Sequence, residues 1–231
     1  MRTEQAVQVA RSNGWLSQFD RRTQDLVLAP MRLVNLPRSR KLFEIEDSAS
    51  DIYCMVSGSA VITIAHPVQG VLNAHVILPG CWFGEPAALG RRPRIMSIVA
   101  RQNCELLTLS RQGVTELLAS EPSLNWVFFN LMAYNVEQYL HHAVDLLISD
   151  PRLRFCSRLL TFAGRLINYL PPSPVTIPMT QEELAVASNM SRSTVHQLLA
   201  DLVAQGICDV GYREIVIRDV ERLSAIVNDA V

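Results

Sequence analysis

The chain has 231 residues, 49% of them hydrophobic, and a formal net charge of −1, so it can bury a sizeable core in one large domain or two modest ones. No apolar run approaches the ~18 residues a membrane span needs, and the N-terminal MRTEQAVQVARSNGW lacks the apolar centre of a secretory signal; a cytoplasmic protein with no membrane partner is expected. Nothing in the global charge announces nucleic acid, but affinity for a polyanion depends on where cations sit rather than on their sum.

From about Leu33 to Arg111 the pattern is period two, or short apolar runs, separated by turn residues. DIYCMVSGSAVITIA reads as two strands around Ser57-Gly58, LNAHVILPG as another ending at Pro79-Gly80, and RIMSIVARQNCELLTLS as two more around Arg101 to Asn103. Short strands at near-regular spacing suggest an antiparallel roll or barrel. A short helix, RQGVTELLASEP, follows and stops at Pro122. The scattered cysteines Cys54, Cys81, Cys104, Cys156 and Cys208 form no CxxC pair, so reduced thiols are expected rather than a disulfide framework or a zinc site.

SLNWVFFNLMAYNVEQYLHHAVDLLISD is then a long helix. Phe129, Met132, Val136, Tyr139, Ala143 and Leu146 recur in steps of three and four, and Ala133, Leu140 and Leu147 widen that seam. An apolar face this broad predicts a partner helix, hence a homodimer. Ser149-Asp150-Pro151 ends the helix and starts another, with Asp150 as N-cap and Pro151 in its first turn. Leu153, Cys156, Leu160, Ala163, Ile167 and Leu170 predict an amphipathic helix, stopped by the proline-rich LPPSPVTIP. The divisions are residues 1–121, 122–150 and 151–231.

MTQEELAVASNMSRSTVHQLLADLVAQG has the sharpest local chemistry. Thr180 with Glu183 is a capping box, and Met179 with Leu184 its hydrophobic staple. Asn189 suits the left-handed conformation of a tight turn, and Ser191 caps the next helix. The result is a helix-turn-helix. In its second helix Val195, Leu198, Leu199 and Leu202 share one face, while Arg192, Ser193, His196, Gln197 and Ala200 occupy a separate arc of about 140°. That arc carries no acid, as a face meant for DNA should not, and the small Ala185 allows close helix approach. ICDVGYREIVI adds a hairpin turning at Gly211, in the place of a wing. The expected DNA-contacting residues are Thr180, Ser191, Arg192, Ser193, His196 and Gln197.

From about Gly14 to Leu223 the chain resembles the CRP/FNR family of cyclic-AMP receptor and fumarate-nitrate regulators, through FGEPAALGRRPR, the long helix with its SDPRLR break, and TQEELA…SRSTV. The resemblance implies an α+β protein: an N-terminal antiparallel β-roll that senses an effector, a dimerisation helix, and a C-terminal winged helix-turn-helix. It implies a homodimeric transcription factor on palindromic double-stranded DNA, with RNA polymerase as a further partner if it activates. Where such relatives read a TGTGA-type half-site with glutamate and arginine, this chain has Ser193 and Gln197, which predicts altered inner bases.

The resemblance places an effector cradle at Gly84, Glu85 and Arg94, with Tyr139 on the long helix at a base-reading position. It implies a small-molecule effector without naming one. Ile95 replaces the hydroxyl residue that follows the arginine in nucleotide-binding relatives, and Pro86 removes an amide; both argue against cyclic AMP as a tight ligand. Glu85 and Arg94 can equally be read as an ion pair shaping the roll. No cysteine precedes Cys54, so the N-terminal iron-sulfur ligands of the family's oxygen sensors are missing. Haem ligation by Cys81 and His75, or a metal on His66 and His75, would rest on isolated residues. No nucleophile elbow, Walker loop or metal-helix motif suggests an enzyme. The rival to a DNA-binding regulator is a dimeric effector-binding protein of the same fold that does not act on DNA.

Overall fold

The computed structural model describes residues 3–12, 14–48, 51–68, 70–90, 92–165 and 170–229. The chain forms two compact units, Met1–Asn135 and Val136–Val231.

In the first unit, α1 (Thr3–Ser12), a 3-10 turn (Trp15–Gln18) and α2 (Arg21–Leu28) precede the strands. These helices were not anticipated, since the period-two signal starts only after them. The strands are β1 (Arg32–Leu36), β2 (Lys41–Phe43), β3 (Ile52–Ser57), β4 (Ala60–His66), β5 (Gly70–Ile77), β6 (Trp82–Phe83), β7 (Ser97–Ala100) and β8 (Cys104–Leu109). The short α3 (Glu85–Gly90) lies between β6 and β7, and α4 (Arg111–Ser120) follows β8.

The strands make two four-stranded antiparallel sheets, ordered β1-β8-β3-β6 and β2-β7-β4-β5. Consecutive strands β3 and β4 therefore belong to different sheets, as do β7 and β8. Gly58 makes the first crossing with φ +81, and a Cβ there would sit 2.4 Å from the Asn103 carbonyl oxygen; only glycine fits. Inside the roll, Phe43, Tyr53, Met55, Ile62, Ile77, Phe83, Ile98 and Leu106 form one core. The opposite face of β3, Ile52, Cys54 and Val56, packs with Trp15, Leu16, Phe128 and Leu131 in a second core. Two buried faces explain why β3 reads as a continuous apolar run rather than an alternating one. Trp15 meets Trp82 edge-on at 5.1 Å between centroids, and rings of this size each contribute about 1.5–3 kcal/mol through burial.

The long helix is α5 (Leu124–Leu147). Asp150 caps α6 (Pro151–Phe162), accepting from the Leu153 N–H at 2.8 Å, with Pro151 in the first turn. The second unit continues with β9 (Val175–Ile177), α7 (Gln181–Ser188), α8 (Arg192–Ala204), β10 (Cys208–Gly211), β11 (Glu214–Ile217) and α9 (Val220–Asn228), which packs against α6. β10, β11 and β9 form one antiparallel sheet.

Four expectations in this unit need correction. α6 ends at Phe162 rather than near Leu170, because Gly164 takes φ +96 and Arg165 N–H closes back on the Leu160 carbonyl at 3.0 Å, a left-handed helix stop; Ile167 lies outside the described residues. Residues 155–161 of α6 are all buried, so the helix is enclosed rather than amphipathic. VTI, taken as part of the stop, is strand β9, and the wing turns at Tyr212-Arg213, since Gly211 is still paired with Glu214.

Candidate nucleic-acid interface and effector cradle

α7 begins as its sequence dictates. The Thr180 hydroxyl accepts from the Glu183 N–H at 3.1 Å, while the Glu183 carboxylate accepts from the Thr180 N–H at 2.9 Å. The Thr180 hydroxyl also lies 2.9 Å from that carboxylate and donates to it, so its hydrogen is already used within the cap. Met179, Leu184 and Ala185 are buried. Asn189 takes φ +51, and Met190 N–H reaches the Ala185 carbonyl at 3.0 Å. Ser191 caps α8 by accepting from Thr194 N–H at 3.1 Å.

On α8, Val195, Leu199 and Leu202 are buried, whereas Arg192, Ser193, His196, Gln197 and Ala200 are exposed. The face is therefore open, cationic at its N-terminal end and free of carboxylates. The wing tip presents Tyr212, 91% exposed, beside Arg213 at φ +60. The sequence pattern marks neither, because it points to Gly211 as the turn, one residue early. Another residue missed is Gln181 at the start of α7, whose side-chain oxygen lies 3.3 Å from His196 Nδ1; the two are fifteen positions apart, beyond any local pattern.

In the roll, Gly84 takes φ +94, and a Cβ there would stand 2.5 Å from the Asp51 carbonyl oxygen. Arg94 is buried, donating from Nη1 to the Gly84 carbonyl at 2.9 Å and from Nη2 to the Asp51 carbonyl at 2.8 Å. Its guanidinium lies 4.0 Å from the centroid of the Phe43 ring. Burial lowers its pKa, against the pull of Tyr53, Asp51 and Glu85.

Glu85 is buried too, and its Oε1 accepts from Asn135 Nδ2 at 2.9 Å, which replaces the expected ion pair with Arg94 by an amide contact. Asn135 also donates to the Trp82 carbonyl at 3.0 Å; nothing in the sequence marked it. Burial pushes the Glu85 carboxyl above its ordinary value, opposed by that amide. Among the described residues Glu85 Oε2 has no partner, which leaves it able to accept from a sugar hydroxyl. The phosphate side fits less well: both Arg94 amino groups already engage carbonyls, only its buried Nε is left without a partner among the described residues, Pro86 has no N–H, and Ile95 is exposed and has no hydroxyl. Tyr139 lies one helical turn beyond Asn135 on α5, in the other unit, and is exposed.

His66 pairs with Gly70 and His75 with Ile62, at separate places along the β4–β5 hairpin. Burial raises the Cys81 thiol, away from the thiolate a metal ligand requires.

Along α5 the side chains of Phe129, Met132, Val136, Tyr139, Leu140, Leu146 and Leu147 are exposed, as is Ala143. Trp126, stacked on Phe129 at 5.6 Å, and Val144 extend the same apolar display. Among the described residues no helix is long and apolar enough to cross a membrane.

These features define a class: a DNA-binding transcriptional regulator that joins a winged helix-turn-helix to a β-roll of the cyclic nucleotide-binding type. Residues 153–226 match the Crp-like helix-turn-helix domain and residues 33–121 the cyclic nucleotide-binding domain, together more than two thirds of the chain. The chain belongs to the CRP/FNR family. It is 26% identical over 193 residues to the CRP-like cAMP-activated global transcriptional regulator of Mycobacterium tuberculosis, covering 83% of this chain and 86% of that one. It is 25% identical over 203 residues to the cyclic AMP receptor protein of Thermus thermophilus, covering 87% and 91%. The fold is also that of FixK2 from Bradyrhizobium japonicum, with a TM-score of 0.67 at 19% identity over 84% of this chain and 96% of that one.

Proposed function

We propose that this regulator works as a homodimer that reads a palindromic duplex site, with α8 of each copy in a major groove and half-sites about one helical turn apart. The observation that carries the reading is the exposed, acid-free arc Arg192, Ser193, His196, Gln197 on a helix whose opposite face is buried. A solvated helix normally mixes both signs of charge, whereas a face that meets phosphates and base edges excludes carboxylates. Ser191 and the wing tip at Arg213 flank the arc as backbone contacts, and Thr180 contributes by fixing the start of α7. The apolar display on α5 supports dimerisation, since exposed apolar faces of this extent mark interfaces.

The DNA affinity is set by an effector in the roll, and that effector is not cyclic AMP bound through Arg94. The arginine's engagement with the Gly84 and Asp51 carbonyls supports this. RNA polymerase is a partner if the protein activates.

Arg192 tests the DNA reading. At the N-terminal end of α8 its planar fork suits guanine O6 and N7, a contact worth about 1–3 kcal/mol of discrimination. Arg192→Ala should flatten sequence preference in a binding-site selection. Recovery of the same site at unchanged affinity would refute the assignment.

A further inference from the structure

One side chain on the recognition face is oriented from outside its own helix. His196 is exposed on α8, and its Nδ1 sits 3.3 Å from Oε1 of Gln181, the first residue of α7. An amide oxygen offers only lone pairs, so Nδ1 carries the hydrogen of this contact. In a neutral imidazole the other nitrogen, Nε2, is then an acceptor, because the hydrogen bond made by one ring nitrogen decides the role of the other. Among the described residues Nε2 has no partner, and it remains available on the exposed face.

We infer that Gln181 is a positioning residue for base readout: it selects the His196 tautomer and holds the ring so that Nε2 meets the major groove as a hydrogen-bond acceptor. This inference rests on the recognition-helix reading and deepens it. In the major groove an acceptor pairs with an exocyclic amine, N4 of cytosine or N6 of adenine. It has nothing to offer guanine N7 and O6, or thymine O4, which are acceptors themselves. His196 thus selects an amino-bearing base, while Arg192, a pure donor, selects guanine. Without Gln181 the ring would rotate and exchange tautomers, presenting donor and acceptor alike, and the position would lose its preference. A face that otherwise resembles a row of separate readers therefore contains one reader whose chemistry is fixed by the neighbouring helix.

The test is binding-site selection from a randomised duplex library with the full-length protein and four variants: His196→Ala, Gln181→Ala, Gln181→Glu and Arg192→Ala. One base pair in each half-site should be favoured over its three alternatives by roughly tenfold, the value of about 1.4 kcal/mol. His196→Ala and Gln181→Ala should both abolish that preference while other positions keep theirs. Gln181→Glu keeps an acceptor for Nδ1–H, so it should retain the preference while lowering overall affinity through its charge. Uniform weakening by Gln181→Ala with the preference intact would make Gln181 a backbone contact only and overturn the inference. Selection left unchanged by His196→Ala would overturn it as well. If Arg192→Ala changes selection as expected, either failure is confined to the Gln181–His196 pair; if Arg192→Ala leaves selection unchanged, the recognition-helix reading falls and this inference with it.

Discussion

Removing the buried cation of the second unit should cost that unit about 4 kcal/mol, a figure built from the contacts it would break. Arg158 is 1% exposed and Asp145 2%. Arg158 Nη1 lies 3.9 Å from Asp145 Oδ2 and also contacts His142 Nδ1. Its Nη2 donates to the Ala187 carbonyl, in the last turn of α7, at 2.6 Å. The guanidinium lies 4.8 Å from the centroid of the Phe162 ring. Desolvation pulls the Arg158 pKa down to about 10 although Asp145 raises it.

In Arg158→Met the methionine conserves bulk against Phe162. Stripping one partner from a buried pair costs about 3–5 kcal/mol, and an orphaned buried carbonyl about 1–3 kcal/mol. Asp145 still accepts from Ser157 at 2.5 Å and Thr161 at 2.8 Å, and Arg165 stands 3.4 Å away, which holds the total at the low end of the two ranges taken together. Tryptophans 15, 82 and 126 all lie in the first unit, so fluorescence would miss the change. Amide hydrogen exchange on α6 and α7 reads it, and protection should fall about a thousandfold. Adding Asp145→Asn should recover much of the loss, because the residual penalty is an uncompensated charge. A loss below about 1 kcal/mol, or no recovery in the double variant, would refute the reasoning.

Replacing both Val136 and Leu140 with aspartate should leave the protein monomeric or insoluble, since each buried charge costs several kcal/mol; a folded, dimeric double variant in light scattering would place the interface elsewhere. Burial raises the Glu85 carboxyl, so the folded state binds that proton more tightly than the unfolded chain. Its contribution to stability therefore falls as pH rises from the ordinary carboxylate value through the raised folded one. Glu85→Gln should flatten that decline in the first unit's urea midpoint, and an unaltered slope would mean the carboxyl is not desolvated. Calorimetric titration with cyclic AMP should give no detectable heat at millimolar nucleotide; a low-micromolar dissociation constant would show that Arg94 leaves its two carbonyls for a phosphate.

The residues themselves determined most of the features whose partners lie within about one helical turn, the wing turn and the Gly164 stop of α6 excepted. The Thr180–Glu183 capping box, the Asn189 turn, the Ser191 cap and the Asp150-Pro151 break depend on hydrogen bonds spanning three or four positions, and such geometry is set by local residue chemistry whatever the surroundings. Periodicity likewise marked the buried and open faces of α8, because a helix face is a property of spacing alone. Tertiary structure alone decided the rest. That β3 and β4, adjacent in the chain, belong to different sheets depends on the packing of both β3 faces as well as on the Gly58 turn between them. Arg94 is bound to Asp51 forty-three positions away, Asn135 to Glu85 across fifty, and Arg158 to Ala187 across twenty-nine. A polar side chain far from its partner in sequence carries no periodic signal. Its burial is tolerated only because the fold brings a matching group to it, and that match exists in three dimensions alone.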